Sequence, residues 1–168
     1  TSSTCHLAIG DAIAMTLQKV KGFTPLDFSK YHPSGNLGKK LTLTLNDLID
    51  SNRKPLVEKS SSFLKIIDEI SSNMYGATAV VEDNVIIGVV TDGDIRRIIE
   101  KKQNIENISA SDFMNKNPKI MTENTLAIEA LIHMKENRIS QVLITNNSNV
   151  YLGIVHILDI IKEGVNNE

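Results

Sequence analysis

The chain has 168 residues, a length that predicts one domain or two small ones. Its composition, 41% hydrophobic and 23% charged, is that of a soluble globular protein. The net charge of −2 and the absence of tryptophan argue against nucleic acid or an anionic membrane surface as a partner. The single cysteine, Cys5, excludes an internal disulfide and favours a cytoplasmic location, and no apolar run reaches the roughly 18 residues of a membrane span.

The first predicted element is a helix over residues 5–20, which ends near Gly22 and is capped by Ser2, Ser3 or Thr4. These three hydroxyls can alternatively hold an anion, because free backbone N–H groups point outward at a helix start. The helix is apolar over a broad face that one short neighbour cannot cover, so we expect a larger domain around it. The chain also starts without Met, and we expect it to be a fragment.

Residues 24–46 predict short, irregular structure. Thr24 followed by Pro25 and Asp27 has the pattern of a helix start. Residues 32–38 (HPSGNLG) read as a loop, and the alternation of leucine and threonine over residues 41–45 predicts an extended lead-in.

The rest of the chain contains one pattern twice, at an offset of 64 to 65 residues. Each copy has an amphipathic helix, an apolar strand, a polar hairpin, a second apolar strand and a final helix. In the first copy these lie at residues 62–73, 77–81, 82–84, 85–90 and 94–102. In the second copy they lie at residues 126–137, 141–145, 146–149, 150–155 and 159–163.

One copy of about 55 residues is too small to bury a convincing core, so two copies packed sheet to sheet are expected. The predicted fold class is α/β (α+β), a tandem pair of β-α-β-β-α repeats preceded by helices. The predicted limits are 1–46 for the N-terminal segment, 47–104 for the first copy, 105–111 for a linker and 112–168 for the second copy.

The candidate binding motif of the first copy lies where its second strand meets its final helix. Gly88 interrupts the strand, which often marks the close approach of a ligand or of another backbone. Thr91 can hold a phosphate, Asp94 can accept two hydrogen bonds from a ribose, and Arg96 and Arg97 add donors that suit phosphate. The alternative is purely structural, because Thr-x-x-Asp before an apolar helix is also a capping box.

The second copy repeats this motif with one change. Gly153 and Asp159 match Gly88 and Asp94, but His156 replaces the threonine. Histidine is a poorer cap than threonine, so the second site is altered. It either prefers a different anion or stays empty.

Together, the two copies resemble a tandem pair of cystathionine-β-synthase-type (CBS) domains, a regulatory module that commonly binds adenosyl compounds or other nucleotides. The whole chain also resembles the bacterial arabinose-5-phosphate isomerases, in which a sugar isomerase (SIS) domain precedes two CBS domains. The stretches that carry this second resemblance are residues 1–4 (TSST), 10–12 (GDA), 22–28 (GFTPLDF), 32–38 (HPSGNLG) and 88–97 (GVVTDGDIRR).

The resemblance implies that the parent enzyme makes arabinose 5-phosphate from ribulose 5-phosphate for synthesis of the sugar acid Kdo, used in lipopolysaccharide and capsule. His32 matches an active-site histidine of that family, where Ser34 replaces a glycine of the motif. Ser2, Ser3 and Thr4 match the hydroxyl-rich stretch beside the sugar-phosphate pocket. Because most of the isomerase domain is not within these residues, we expect the chain alone to be inactive.

The resemblance also implies the ligands and partners. No metal and no cofactor is required for isomerisation, since a base and an acid suffice to move the proton and open the sugar ring. The implied effector of the CBS pair is an adenine nucleotide or a pathway product such as CMP-Kdo. A homo-oligomer is expected, with a dimer through the CBS pairs and a tetramer for the parent. The alternative to a regulatory site is a structural or oligomerisation module that binds no ligand.

Overall fold

The computed structural model describes residues 2–24, 27, 31, 36–101 and 105–166 of the chain. It forms two compact units, residues 1–43 and 44–168. In the first unit, helix α1 spans Ser2–Val20 and helix α2 spans Asn36–Thr42. The predicted helix over residues 5–20 is confirmed, although it starts earlier, so Ser2, Ser3 and Thr4 form its first turn and do not precede it. None of the described helices has the length and apolarity needed to cross a membrane.

The predicted extended lead-in over residues 41–45 is wrong, because α2 continues to Thr42. The Leu43 amide donates to the Lys39 carbonyl over 2.9 Å, and the Thr42 hydroxyl donates to the Gly38 carbonyl over 2.9 Å. Two leucine–threonine pairs are too short a pattern to separate a strand from the last turn of a helix, and these local bonds favour the helix.

Thr24 and Asp27 make the reciprocal contacts that the sequence predicts, and Pro25 lies outside the described residues. Its backbone N–H donates to Asp27 Oδ2 over 3.0 Å, and its hydroxyl donates to the same oxygen over 2.7 Å. The Asp27 amide donates back to the Thr24 hydroxyl over 3.2 Å, which completes the reciprocal pair of a capping box.

The second unit contains both copies of the repeat, and each copy has the predicted β-α-β-β-α order. The first copy consists of β1 (Leu56–Glu58), α3 (Phe63–Asn73), β2 (Ala77–Glu82), β3 (Val85–Thr91) and α4 (Asp92–Glu100). Between the copies lie a 3₁₀ turn (Ile105–Asn107) and α5 (Ala110–Phe113). The second copy consists of β4 (Ile120–Thr122), α6 (Ala127–Asn137), β5 (Gln141–Thr145), β6 (Tyr151–His156) and α7 (Ile157–Lys162).

The two sheets have the same topology. In each sheet the central strand pairs parallel with the first strand and antiparallel with the last, giving the orders β1-β2-β3 and β4-β5-β6. The parallel pair requires a crossover, which α3 and α6 provide. The antiparallel pair closes through the predicted hairpins, where Asp83 and Asn84 adopt positive φ angles of 51° and 64°.

The two sheets pack against each other, as predicted. One buried cluster draws side chains from both copies, namely Tyr75, Ala77, Ala79, Val81, Leu143, Tyr151 and Ile154. At its edge the buried Tyr151 hydroxyl donates to the Pro55 carbonyl over 2.8 Å. This shared core explains how two repeats of about 55 residues become stable together.

Each copy also receives a segment that precedes the other copy. The Leu45 amide donates to the Thr125 carbonyl over 2.9 Å, beside an isolated bridge between Thr44 and Leu126. In the mirrored position, the Phe63 amide donates to the Ile108 carbonyl over 3.2 Å. The predicted linker over residues 105–111 is therefore an ordered part of the first copy's surroundings.

Candidate functional site

The Thr91–Asp94 motif forms a complete capping box at the start of α4. Asp94 Oδ2 accepts from the Thr91 backbone N–H over 2.9 Å and from the Thr91 hydroxyl over 2.6 Å. The Asp94 amide donates to the Thr91 hydroxyl over 3.4 Å, and Asp94 Oδ1 pairs with the Arg97 guanidinium. Both carboxylate oxygens are thus engaged, one by the residue that caps α4 and one by a side chain of α4, which is the geometry of the structural alternative. Contact with a ligand stays a prediction.

A cleft of about 610 Å³ lies between the two copies. We call it the large cleft. From the first copy it is lined by Met74, Tyr75, Gly76, Val89, Thr91, Asp92 and Gly93. From the second-copy side it is lined by Asn115, Asn117, Pro118, Lys119, Arg138, Ile139, Ser140, Gln141, Leu143 and His156. Its volume falls within the roughly 300–1,000 Å³ of small-molecule sites.

The large cleft combines apolar walls with cationic groups. Its charged lining residues are two cations, Lys119 and Arg138, and one carboxylate, Asp92. Arg138 ends α6 in the left-handed conformation, with φ 53°, and its side chain is exposed to solvent. Apolar surface from Val89 and Ile139 lies on the same cleft. This combination suits a ligand with a flat apolar ring and an anionic group.

Backbone hydrogen bonds fix the loops that line the large cleft. The Asp92 amide donates to the Gly76 carbonyl over 3.0 Å, and the Ile157 amide donates to the Ser140 carbonyl over 2.8 Å. The Gln141 side chain crosses between the copies and donates to the Tyr75 carbonyl over 3.1 Å. The lining is therefore held by bonds within and between both copies.

Gly88 permits the close approach of a protein segment. A Cβ at Gly88 would lie 2.6 Å from Met114 Sδ and 3.1 Å from the Asn115 carbonyl oxygen. Asn115 also pairs with Val89 through two backbone hydrogen bonds of 2.9 and 3.0 Å. In the second copy, a Cβ at Gly153 would lie 3.0 Å from a methyl group of Ile49. Of the two explanations open for Gly88, approach of another backbone is the one the structure supports.

The second copy's motif caps α7 with an imidazole. His156 Nδ1 accepts from the Leu158 amide over 3.1 Å, and Asp159 Oδ2 accepts from the His156 amide over 3.2 Å. Asp159 Oδ1 lies 3.6 Å from Lys162 Nζ. Since a backbone N–H donates to Nδ1, the neutral ring carries its proton on Nε2.

Beside this motif lie two adjoining pockets of about 210 Å³ each. We call the two together the small cleft. They share Arg53, Tyr75, Asp159 and Lys162 as lining residues. Burial raises the pKa of the Tyr75 phenol, and the Arg53 guanidinium opposes that rise.

Comparison with known proteins gives the chain its family. The CBS domain family matches residues 44–101 and 110–166, which are the two copies of the repeat. The chain belongs to the CBS domain family. Its predicted fold is also that of solved CBS structures. A CBS domain protein from Pyrobaculum aerophilum, complexed with AMP, aligns with a TM-score of 0.64 and 17% identity over 70% of this chain and 89% of that one.

A second solved structure repeats this likeness. The CBS domain pair of protein MJ0100, in complex with 5′-methylthioadenosine and S-adenosyl-L-methionine, aligns with a TM-score of 0.61 and 20% identity. The alignment covers 72% of this chain and 94% of that one. At these identities the likeness establishes the fold, which is the predicted CBS pair.

Curated relatives extend the similarity beyond the CBS pair. Arabinose 5-phosphate isomerase KpsF of Escherichia coli is 36% identical over 160 residues, which cover 95% of this chain and 49% of that protein. Arabinose 5-phosphate isomerase KdsD of Francisella tularensis is 38% identical over 163 residues, covering 96% and 50%. The predicted resemblance to this family is confirmed, and the chain spans about half the length of the curated relatives it matches.

The structure separates the predicted site residues of the CBS pair. Thr91 and His156 both line the large cleft. Asp94 and Asp159 lie one helical turn further on, and Asp159 lines the small cleft. Arg96 is exposed on α4 and is not among the residues that line the large cleft. Whether any of these five binds a ligand stays a prediction.

The site residues predicted in the N-terminal unit lie either in the first turn of α1 or outside the described residues. Ser2, Ser3 and Thr4 are exposed in the first turn of α1. His32 and Ser34 lie outside the described residues. Within the described part of the chain, no cluster of three or more His, Cys, Asp or Glu side chains is arranged to hold a metal ion.

Sequence reasoning missed Lys119 and Arg138, the two cations of the large cleft. Lys119 precedes β4, and Arg138 follows α6, so neither belongs to the recurring Gly-x-x-Thr/His-x-x-Asp motif. The topology was the signal that could have found them. Because β4 and β5 are parallel, the residue before β4 and the turn before β5 lie at the same end of the sheet.

Proposed function

We propose that the chain is the regulatory region of a sugar-phosphate isomerase and that its large cleft binds a nucleotide or a sugar nucleotide. The observation that carries this proposal is the cleft itself, about 610 Å³ in volume and lined by both CBS copies. A ligand that contacts both copies binds their joined arrangement more tightly than their separated one, which is what regulation requires.

The lining suggests how the parts of a nucleotide are recognised. Lys119 and Arg138 supply positive charge for a phosphate. The Thr91 hydroxyl donates its one proton to Asp94 Oδ2, so it donates to a phosphate only after giving up that bond. Apolar surface from Val89 and Ile139 is available to the base. Asp94 holds Thr91 in place through the capping box and reaches a ribose only by giving up some of those bonds.

The ligand class follows from the parent pathway and the family. An adenine nucleotide is the conventional choice, since two solved CBS neighbours carry AMP or S-adenosyl-L-methionine in their complexes. CMP-Kdo is the alternative, because an end product that inhibits its own first step gives feedback. Both present a base, a ribose and a phosphate to the same cleft.

For the parent enzyme we propose the isomerisation of ribulose 5-phosphate to arabinose 5-phosphate, in the supply of Kdo for lipopolysaccharide or capsule. The similarity to the KpsF and KdsD isomerases over 95% or more of this chain supports the proposal. His32 is the proposed acid or base of ring opening or proton transfer, and Ser2, Ser3 and Thr4 the proposed sugar-phosphate contacts. A cytoplasmic homo-oligomer, with CBS pairs forming a dimer within a tetrameric parent, completes the proposal.

A structural module without a ligand is the second candidate, and one observation favours it. Both oxygens of Asp94 are engaged by Thr91 and Arg97, so the motif is fully satisfied as a helix cap. In that case the CBS pair only supports or dimerises the catalytic domain.

Calorimetric titration with AMP, other adenine nucleotides and CMP-Kdo separates the two candidates. Saturable binding that is lost in Asp94→Ala supports the regulatory site. The matched control is Asp112→Ala, because Asp112 closes an equivalent capping box with Ser109, and Ser109, unlike Thr91, does not line the large cleft. Absence of binding to every ligand of the panel, with the fold intact by circular dichroism, supports the structural module.

A further inference from the structure

The small cleft is the internal counterpart of the large cleft. The two copies are offset by 64 to 65 residues, so Tyr75 and Leu158 of the small cleft correspond to Ile139 and Gly93 of the large one. In each pair the small cleft has the bigger side chain. The two clefts are therefore formed by matching positions of the two copies, and they differ in the size of the side chains at those positions.

Arg53 is held in the small cleft by three contacts. Its guanidinium carbon lies 4.4 Å from the centroid of the Tyr75 ring. Its Nε donates to the Asn73 carbonyl over 3.0 Å, and its Nη2 donates to the same oxygen. Stacking on a ring and sharing a carbonyl fix the planar group in one orientation. The matching loop of the second copy has Asn117 and Pro118, neither of which carries a guanidinium.

We propose that Arg53 fills the small cleft and so limits each chain to one bound nucleotide, which sits in the large cleft. This inference rests on the proposed nucleotide site. With Arg53 in place, the small cleft is divided into two pockets of about 210 Å³, each below the range of small-molecule sites, against about 610 Å³ for the large cleft. Arg53 is one of the four residues that line both pockets, and its guanidinium is held against the ring of Tyr75, which is another of the four.

The charges of the small cleft reinforce the difference. Asp47, Asp50 and Glu163 line one of its pockets, in addition to the shared Asp159. The large cleft has a single carboxylate, Asp92, among its lining residues. A phosphate therefore meets more negative charge in the small cleft, where the Arg53 guanidinium is already committed to Asn73 and Tyr75.

The test is the stoichiometry of adenosine binding, measured beside AMP by calorimetry, with the protein concentration fixed by amino-acid analysis. Adenosine is the probe for the opened small cleft because it carries no phosphate to meet the carboxylates there. We expect one equivalent for the unaltered chain and a gain of one equivalent for Arg53→Ala, which removes the partition and leaves the backbone N–H of residue 53 bonded to Asp50. The matched control is Lys54→Ala, which removes a neighbouring cation that lines neither cleft, and it should leave one equivalent. Arg53→Ala/Leu158→Ala, which also shortens a side chain on the exposed rim, is a second opening variant and should show the same gained equivalent with tighter binding.

Two results would overturn the role of Arg53. One is two bound equivalents in the unaltered chain; the other is no gained equivalent in folded Arg53→Ala and Arg53→Ala/Leu158→Ala. No binding to the unaltered chain together with one equivalent for Arg53→Ala would support that role and overturn the proposed use of the large cleft.

Discussion

Gly88→Ala should destabilise the CBS pair through one steric conflict. The new Cβ lies 2.6 Å from Met114 Sδ, 3.0 Å from Met114 Cγ and 3.1 Å from the Asn115 carbonyl oxygen. The sulfur can move, but the Asn115 backbone is held by its two hydrogen bonds to Val89. The φ angle of Gly88 is not positive, so alanine fits the backbone and the cost is one of packing.

The size of the effect follows from two opposing contributions. Overpacking costs about 1–3 kcal/mol, and replacing glycine with alanine returns roughly 0.4–1 kcal/mol by restricting the unfolded chain. The net loss of about 1–2 kcal/mol corresponds to a fall in Tm of roughly 2–8 °C for a protein of this size. Urea and thermal unfolding followed by circular dichroism measure it.

Two variants sharpen this prediction. Gly93→Ala is the control, because its Cβ meets only Arg97 and Thr91 atoms at 3.6 Å, an ordinary contact, in a helical turn that favours alanine. In Gly88→Ala/Met114→Ala the conflict with the sulfur is gone, so a double-mutant cycle should show favourable coupling of about 1 kcal/mol. Gly88→Ala as stable as the unaltered chain, or a cycle without coupling, would refute the close-approach account of Gly88.

Two further predictions concern the buried tyrosine and the activity of the chain. Tyr151→Phe removes the hydroxyl that donates to the Pro55 carbonyl, and it should lower the free energy of unfolding in urea by about 1–3 kcal/mol. An unchanged urea midpoint would show that this bond does not stabilise the contact between the copies. Burial raises the pKa of Tyr151, so the stability that depends on the neutral phenol is present below its ordinary pKa of about 10 and is lost as the pH rises further; Tyr151→Phe should flatten that alkaline loss. The chain alone should give no arabinose 5-phosphate from ribulose 5-phosphate in a coupled or chromatographic assay, and turnover would disprove this expectation.

Periodicity in the sequence was enough to predict the repeat and its packing. Apolar positions at helical and strand spacing placed the helix over 62–73 and the strands over 77–81 and 141–145 within one or two residues of the structure. These segments are buried on one or both faces, so their patterns are long and consistent. The prediction of an extended segment over residues 41–45 was wrong, because three alternating leucines are too few to distinguish a strand from the end of a helix.

The candidate site was predicted only in part, for a physical reason. Thr91 and Asp94 are neighbours in sequence, and a local capping box leaves a local signal. The large cleft is assembled from two copies, so Lys119 and Arg138 approach Thr91 only after the sheets pack. The role of Gly88 was likewise open until the segment at Met114 and Asn115 was seen beside it.

The most direct test of the account is calorimetric titration of Arg138→Gly with AMP and CMP-Kdo beside the unaltered chain. Glycine suits the positive φ of 53° at this position, so the variant removes the cation from the large cleft without backbone strain. Lys135→Ala on the same helix is the control, since it removes equal charge from an exposed residue outside the cleft. We predict saturable binding by the unaltered chain that weakens at least tenfold in Arg138→Gly and persists in Lys135→Ala. Equal binding by all three proteins, or no binding by the unaltered chain, would contradict a nucleotide site in the large cleft.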